Sequence, residues 1–448
     1  MTELATGAKA EFRRSLRWRV ATAAGGLLCA FLLTVVAARH LSPADTAVFL
    51  SILAALFIGS FLGRLGLGPN AIRLIAADKD ATKRRNIAGT HLRATLVLSA
   101  LTAPIVSVLA TAGFTGRTSA HLALIAITSV LVVCESLRLM LSDIFAAHGR
   151  IGASVAMTHH VRSMIVLPFV LVLFTMRSPT LFLIVAVYAI VSGTQLCLAL
   201  ISARREIQLW GSRSHFSLLE AIRHGGLLFT LDLAAFVVLP ATVWIASGLF
   251  HPTDAAHYAI AATLAQQVTV IEGLSGLAVT PPVIRLWSAG QRREALQMLS
   301  AVASVCAALA IGLVVFLGLF GWKLLPLLYG PGLEHAALLL VILAAGGIAK
   351  PALGGSVILL IASAHIREAA RTAGIVLVFA SLATILSAVA FGPLGLAIAS
   401  SCAMSTLSIS QCFTARSVIP PVPYPSFRLR KAVRDLSSHR EVAGTVPT

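Results

Sequence analysis

A lysine beside a proline is the first candidate for chemistry in this sequence, because both lie inside a long apolar stretch. Lys350 precedes Pro351 near the middle of residues 334–361, and four glycines flank the pair, namely Gly346, Gly347, Gly354 and Gly355. Proline lacks a backbone N–H and breaks a helix, so this lysine can present its charge and freed carbonyls to a cavity. We expect Lys350 to contact an anionic substrate. The alternatives are an internal ion pair with Asp232 or Glu272, or snorkelling to the membrane interface.

Arginine and glutamate also interrupt apolar runs in the first half of the chain. Glu135 and Arg138 are spaced i, i+3, so they can pair on one face of a helix. We favour self-neutralisation for Glu135, with ion coupling or substrate contact as alternatives, whereas Arg138 can serve both the pair and an anionic substrate. Arg162 either lines a cavity or snorkels. Arg64 ends an apolar run, where it is either a substrate contact or a topological anchor.

Further polar side chains interrupt apolar runs elsewhere. Asp232 is the first candidate for coupling to a proton or cation, with a structural hydrogen bond as the alternative, and Glu272 is the second candidate. Gln266 and Gln267 can hydrogen-bond substrate hydroxyls or neighbouring helices. The adjacent pair His159–His160 should point to different sides of a helix, which disfavours a metal site. We therefore expect binding and ion coupling, with neither a metal nor a catalytic constellation.

About twelve apolar runs of membrane-spanning length must position these residues. They lie near residues 20–38, 44–63, 92–114, 121–145, 154–175, 180–203, 225–250, 256–278, 296–320, 334–361, 371–391 and 393–415. The chain is 58% hydrophobic and 12% charged, with a mean hydropathy of +0.91, a composition that excludes a soluble domain of this length. These features predict an all-α polytopic membrane protein.

Basic residues alternate between the loops that join these runs. One side holds the clusters within 9–19, 73–85, 204–223 and 416–440, whereas the other holds little beyond Arg39, Arg117, Arg177 and Lys323. This asymmetry predicts that both termini are cytoplasmic in a bacterial inner membrane. It also accounts for the net charge of +18 through topology and anionic lipid, so we expect no nucleic-acid partner. The six cysteines fall in or beside apolar runs and are typical of small buried side chains.

The two halves of the chain resemble each other at three places. Pro43 and Asp45 align with Pro252 and Asp254 at a separation of 209, Pro69 to Leu74 with Pro281 to Leu286 at 212, and His148 to Arg150 with His365 to Arg367 at 217. At that last separation Lys350 corresponds to Val133, close to Glu135. Repeats of six spans share one orientation, so they should be related by a pseudo-two-fold axis along the membrane normal, with a cavity between them.

The expected architecture is therefore two six-helix bundles. We assign residues 1–19 to a cytoplasmic segment, 20–203 to the first bundle, 204–224 to an amphipathic cytoplasmic connector, 225–415 to the second bundle, and 416–448 to a basic cytoplasmic tail. The predicted external loops are short, which disfavours a membrane glycosyltransferase or polymerase with an external catalytic domain. A close approach between helices is expected at Gly59-x-x-x-Gly63.

Two stretches carry a resemblance to a known family. Ala38-Arg39-His40-Leu41-Ser42-Pro43-Ala44-Asp45, followed by Leu65-Gly66-Leu67-Gly68 and Ile72-Arg73, resembles the polysaccharide-transporter branch of the multidrug/oligosaccharidyl-lipid/polysaccharide (MOP) exporter superfamily. The late stretch from Gly392 to Ala399 is similar to the start of the last span in that family. Members often have an acidic residue where this chain has Arg64, so any role of that position does not transfer.

The resemblance implies a flippase that moves a polyprenyl-pyrophosphate-linked oligosaccharide to the periplasmic leaflet by alternating access, for O-antigen or exopolysaccharide biosynthesis. It further implies that the lipid-linked oligosaccharide and the bilayer are partners, with a polysaccharide polymerase and chain-length proteins as additional ones. No Gly-x-x-x-x-Gly-Lys-Ser/Thr motif is present, so we expect no nucleotide cofactor. A cation-coupled multidrug exporter, a glycosyltransferase or polymerase, and a non-transporting scaffold are the alternatives.

Overall fold

The computed structural model describes residues 2–77, 80–114, 116–176, 180–204, 206–207, 226, 229–231, 233–288, 290–334, 336–420 and 422–425. This part of the chain is almost entirely helical and contains no β-strand. Apart from residues 204, 206 and 207, the predicted connector falls outside it up to residue 224, as do Asp232 and the tail beyond residue 425. The chain forms two compact units, Met1–Phe229 (unit 1) and Thr230–Thr448 (unit 2). The predicted domain bounds remain a prediction.

The described residues of unit 1 form eight helices. They are α1 (Thr2–His40), α2 (Pro43–Leu62), α3 (Leu67–Ala77), α4 (Ala81–Ala110), α5 (Thr118–Ala147), α6 (Ile151–Ala156), α7 (His159–Met176) and α8 (Leu181–Ala203). Helix α5 packs against α4 and α8, α2 packs against α4 and α5, and α1 packs against α7. Side-chain caps begin three of these helices, because Ser42, Asp80 and Thr180 accept from the backbone N–H groups of Asp45, Thr82 and Leu183.

Unit 2 repeats this packing scheme with more broken helices. Its labelled helices are α9 (Thr242–Leu249), α10 (Pro252–Ser288), α11 (Arg292–Tyr329), α12 (Ala336–Gly347), α13 (Ala349–Leu353), α14 (Gly355–Ala362) and α15 (Ile366–Val418). Helix α12 packs against α11 and α15, α10 packs against α11 and α12, and α9 packs against α15. Helix α5, the central helix of unit 1, is continuous, whereas its counterpart in unit 2 is divided into α12, α13 and α14.

Helix α15 is a hairpin rather than one long rod. Gly392 has non-helical angles (φ 61°, ψ −149°) in the middle of its 53 residues. The hydroxyl oxygens of Thr372 and Thr414, which lie on opposite sides of this glycine, are 2.8 Å apart. The two arms therefore run antiparallel and correspond to the predicted spans 371–391 and 393–415.

Eight helices in the described part of the chain are long and apolar enough to cross a membrane, or nine if the bent pair Phe229–Val237 and Thr242–Leu249 is one span. That count takes the α15 hairpin once. The predicted span 154–175 corresponds to the shorter apolar helix His159–Thr175, and 256–278 falls within α10, which polar residues interrupt. The chain is thus a multi-pass membrane protein, and a total of twelve spans remains a prediction.

The structure supports the internal repeat but corrects its register at the third place. Helices α2 and α10 both begin at a proline, Pro43 and Pro252, as the separation of 209 predicts. At the end of the central helices, however, the left-handed residues are Gly149 (φ 74°) and Ala364 (φ 65°), which are 215 apart. The two turns are equivalent because their backbone angles match, whereas the separation of 217 aligns His148 with His365.

A glycine and a valine exchange places between the two repeats. In unit 1, a Cβ atom added to Gly59 would lie 2.5 Å from Cγ1 of Val132. In unit 2, a Cβ atom added to Gly347 would lie 3.3 Å from Cγ1 of Val268. The separations are again 209 between Gly59 and Val268 and 215 between Val132 and Gly347. Each repeat therefore brings its second and fourth predicted spans together through one small and one branched residue, as close helix packing requires.

The two equivalent turns provide a matched test of backbone strain. Gly149→Ala should destabilise the protein by about 1 kcal/mol, because an L-residue is strained in the left-handed region and no neighbour lies within 4 Å of the added Cβ atom. Ala364→Gly should instead stabilise it, by about 0.5 kcal/mol, since relief of strain exceeds the added entropy of the unfolded chain. Apparent melting temperatures in detergent check both signs. A fall in both variants would contradict the assignment at Ala364.

Candidate functional site

A buried ion cluster joins two helices of unit 1. Helix α5 carries Glu135 and Arg138, and helix α7 carries Arg162. Nη2 of Arg138 donates to both carboxylate oxygens of Glu135, at 2.5 and 2.6 Å, as the i, i+3 spacing predicts. Nη1 of Arg162 lies 2.6 Å from Oε2 of Glu135. One carboxylate thus faces two guanidinium groups, so these three side chains carry one excess positive charge.

Arg138 also satisfies the backbone where α6 and α7 meet. Its Nη1 atom donates to the carbonyl oxygens of Met157 (2.5 Å) and Thr158 (2.8 Å), which lie between α6 and α7. Carbonyl groups at a helix end need such partners when they are buried. Arg138 is fully buried, and both of its terminal nitrogens donate hydrogen bonds within the protein. In this structure Arg138 therefore stabilises the junction between α6 and α7 and does not expose a terminal nitrogen to a substrate.

Arg162 lies beside the aromatic and histidine side chains of the same region. Its guanidinium carbon is 5.3 Å from the centre of the Tyr188 ring on α8, a distance that permits a cation–π interaction. Its side chain is 8% exposed. The rings of His159 and His160 have centroids 3.9 Å apart, so they do not point to different sides as their adjacency predicts.

A second ion pair links the end of α2 to α5. Nη1 of Arg64 donates to Oδ2 of Asp143 at 2.8 Å, and its Nε atom donates to the carbonyl oxygen of Ser60 at 3.1 Å. The turn after Arg64 contains two left-handed residues, Leu65 (φ 38°) and Gly66 (φ 76°). Asp143 was absent from the sequence-based candidates. Its position as an ionisable residue inside an apolar run is the signal that would have identified it.

The broken helix of unit 2 presents Lys350 beside Glu272. Because Pro351 has no N–H, the carbonyl of Gly347 lacks its usual helical donor. Nζ of Lys350 is 3.8 Å from Oε2 of Glu272 on α10, and the two side chains are 42% and 21% exposed. Gly354 permits the approach, because a Cβ atom there would lie 2.8 Å from Cγ of Glu272. This contact is longer and more open than the ion pairs of unit 1.

The repeat gives Lys350 a counterpart of opposite charge. At the separation of 215 set by the equivalent turns, Lys350 corresponds to Glu135, and not to Val133 as the separation of 217 had predicted. Each central helix therefore has an ionisable side chain at this position, and each of these side chains pairs with a group of opposite charge in its own unit. Glu135 uses arginines, one of them in its own helix, whereas Lys350 uses a glutamate of the neighbouring helix.

The remaining predicted site residues are less closely connected. Gln266 and Gln267 are half-buried on α10, and Nε2 of Gln267 donates to the carbonyl oxygen of Thr263 in its own helix at 3.3 Å. Their spacing places them roughly 120–140° around the helix axis from Glu272, so the helix does not align them with the Lys350 pair. Asp232 lies outside the described residues.

The architecture is similar to that of several solved membrane transporters. An inward-facing multidrug resistance MATE family transporter of the MOP superfamily has a TM-score of 0.65 at 14% identity, over 91% of this chain and 96% of that chain. The lipid II flippase MurJ in an inward closed conformation has a TM-score of 0.65 at 14% identity, over 96% and 94% of the two chains. A MOP superfamily transporter from Pyrococcus furiosus has a TM-score of 0.53 at 14% identity, over 90% and 95%. No curated protein sequence matches the chain.

The helical fold of the described residues is thus shared with these membrane transporters, one of which is named as a member of the MOP superfamily. The model of the family described as polysaccharide biosynthesis protein matches residues 18–287, more than half of the chain. The chain belongs to this family. The resemblance of its Arg39–Arg73 region to polysaccharide transporters is thereby confirmed.

The buried cluster of unit 1 should be essential to folding. Glu135→Gln leaves two buried guanidinium groups without a counterion, which should cost about 3–5 kcal/mol. Glu206→Gln is the matched control, because Glu206 pairs at 2.7 Å with Arg150, whose side chain is 40% exposed, and should cost less than about 1 kcal/mol. The apparent melting temperatures and yields of the purified variants measure the difference. Equal effects of the two substitutions would show that the cluster is not a stabilising element.

Proposed function

We propose that this protein moves a polyprenyl-pyrophosphate-linked oligosaccharide from the cytoplasmic to the periplasmic leaflet during surface polysaccharide assembly. Family membership supports a role in polysaccharide biosynthesis, and a protein of the same fold is named a lipid II flippase. The single observation on which the proposal rests is Lys350, a cation at a helix break deep inside the sequence of a predicted span, with 42% of its side chain exposed.

The balance of charge inside the spans favours an anionic substrate. In the described part of the chain, three carboxylates of predicted spans face cations: Glu135 faces two arginines, Asp143, near the end of its span, faces Arg64, and Glu272 faces Lys350. A cationic substrate would have to displace one of these built-in cations. A pyrophosphate group would instead be attracted by a lysine that is 42% exposed and that no hydrogen bond joins to Glu272.

The predicted site residues have three kinds of role in this proposal: substrate contact, helix positioning and ion coupling. Lys350 contacts the pyrophosphate, and Arg162, which is slightly exposed, remains a candidate contact for an anionic substrate. Gln266 and Gln267 donate to sugar hydroxyls. Arg138 and Arg64, which are engaged with backbone and carboxylate oxygens, hold the helices of unit 1 in place. Asp232, Glu272 and Glu135 remain the candidates for coupling to an ion gradient, and a polymerase or chain-length protein would take the product at the periplasmic face of the inner membrane.

A second candidate function is the export of cationic small molecules. The observation in its favour is that a multidrug resistance transporter has the same TM-score, 0.65, as the lipid II flippase. The two functions demand opposite charges of the substrate, so one assay separates them. Purified protein in liposomes should translocate a fluorescent polyprenyl-pyrophosphoryl oligosaccharide and leave a rhodamine dye untransported. Dye transport without lipid translocation would establish the second function instead.

Loss of the exposed cation tests the site. Lys350→Ala should lower the translocation of the labelled lipid roughly tenfold or more, because a hydrogen bond to a charged group contributes about 1.5–3 kcal/mol. Lys323→Ala is the matched control, since Lys323 is exposed on the continuous helix α11 and lies 4.8 Å from the Trp322 ring centre. The control variant should translocate at the wild-type rate. Equal rates in all three proteins would remove Lys350 from the substrate site.

A further inference from the structure

The contact between Glu272 and Lys350 differs in kind from the other ion pairs inside the spans. Arg64 and Asp143 are 2.8 Å apart, and the atoms that join Glu135 to its two arginines are 2.5–2.6 Å apart. Lys350 and Glu272 are 3.8 Å apart, beyond hydrogen-bond distance, and both side chains are partly exposed. The attraction is therefore present, but no hydrogen bond fixes the lysine in this arrangement.

The local backbone keeps this pair close but loose. Gly354 allows Cγ of Glu272 to approach the broken helix, and Pro351 removes the helical hydrogen bond to the Gly347 carbonyl that would join α12 to α13. Lysine bears a compact charge on a flexible stem with three donors, so it can turn from one acceptor to another. An anionic ligand that reaches Lys350 meets a lysine that already has a carboxylate beside it.

We propose that Glu272 is a positioning residue that competes with the substrate pyrophosphate for Lys350, and so sets both the affinity and the rate of substrate release. This inference rests on the proposed function. In the unloaded protein the ammonium group leans toward Glu272. When a pyrophosphate oxygen binds Nζ, the lysine leaves the carboxylate, and the attraction of Glu272 helps to recover it when the substrate departs. A flippase needs such a competitor, because a lysine with no carboxylate beside it would bind an anionic lipid too tightly for release.

Glu272→Gln should therefore strengthen binding. An ion pair that is partly exposed contributes a factor of roughly 1.5 to 5 in an equilibrium constant, so removal of the competing charge should tighten binding by that same factor. The probe is a short-chain isoprenyl pyrophosphoryl-N-acetylglucosamine, titrated onto the full-length protein in nanodiscs of neutral lipid. Glu334→Gln removes the same charge at an exposed position and should leave the affinity unchanged.

Two further readouts separate competition from a purely structural effect. The gain from Glu272→Gln should vanish in a Lys350→Ala background, because the two residues act on one equilibrium. In liposome translocation, Glu272→Gln should lower KM and also lower the maximal rate, since release becomes slower. A damaged fold would not produce tighter binding, so the sign of the effect is informative even if the variant is less stable.

The outcomes distinguish this inference from the function on which it depends. Tighter binding by Glu272→Gln that disappears without Lys350 supports it. Unchanged or weaker binding by Glu272→Gln, in a protein whose wild type binds and translocates the lipid, overturns the role of Glu272 and leaves the flippase function standing. Absence of probe binding and of lipid translocation in the wild-type protein overturns both.

Discussion

The cost of an unpaired charge in hydrocarbon determines where this chain places its few intramembrane ionisable residues. Glu135 balances one of two arginines, Asp143 balances Arg64, and Glu272 balances Lys350. Three of these contacts, Arg162 with Glu135, Arg64 with Asp143 and Lys350 with Glu272, join different helices. The rigid pairs lie in unit 1, whereas the loose pair lies at the broken helix of unit 2. This contrast supports our proposal that the ion pairs of unit 1 stabilise the fold and that Lys350 of unit 2 contacts the substrate.

The internal repeat explains how two similar halves came to differ. The same contact between two helices uses Gly59 against Val132 in unit 1 and Val268 against Gly347 in unit 2, so the combined volume is kept while the sizes are exchanged. The same position of the central helix holds Glu135 in one half and Lys350 in the other. Packing is therefore conserved between the repeats while charge is reversed, which allows one fold to combine a buried support cluster with an exposed cation.

Much of the fold and part of the site could be predicted from the sequence. Helix starts at Pro43 and Pro252, and the pairing of Glu135 with Arg138, follow from local spacing. By contrast, the contact of Arg162 with Glu135 and that of Arg64 with Asp143 join different helices, and no spacing in one sequence encodes such a contact. The role of Arg138 at the carbonyls of Met157 and Thr158 depends on a helix break that periodicity does not reveal. The register of 215 required the backbone angles of Gly149 and Ala364.

The leaflet location of lipid-linked oligosaccharide in cells tests the central claim most directly. A strain that lacks this protein would be treated with an impermeant glycan-modifying enzyme in the periplasm, beside the same strain carrying the wild-type gene. We predict that completed lipid-linked units accumulate in the deletion strain and stay inaccessible to the enzyme, and that the wild-type gene restores access. Fully accessible units at normal levels in the deletion strain would contradict the assignment of this protein as the flippase.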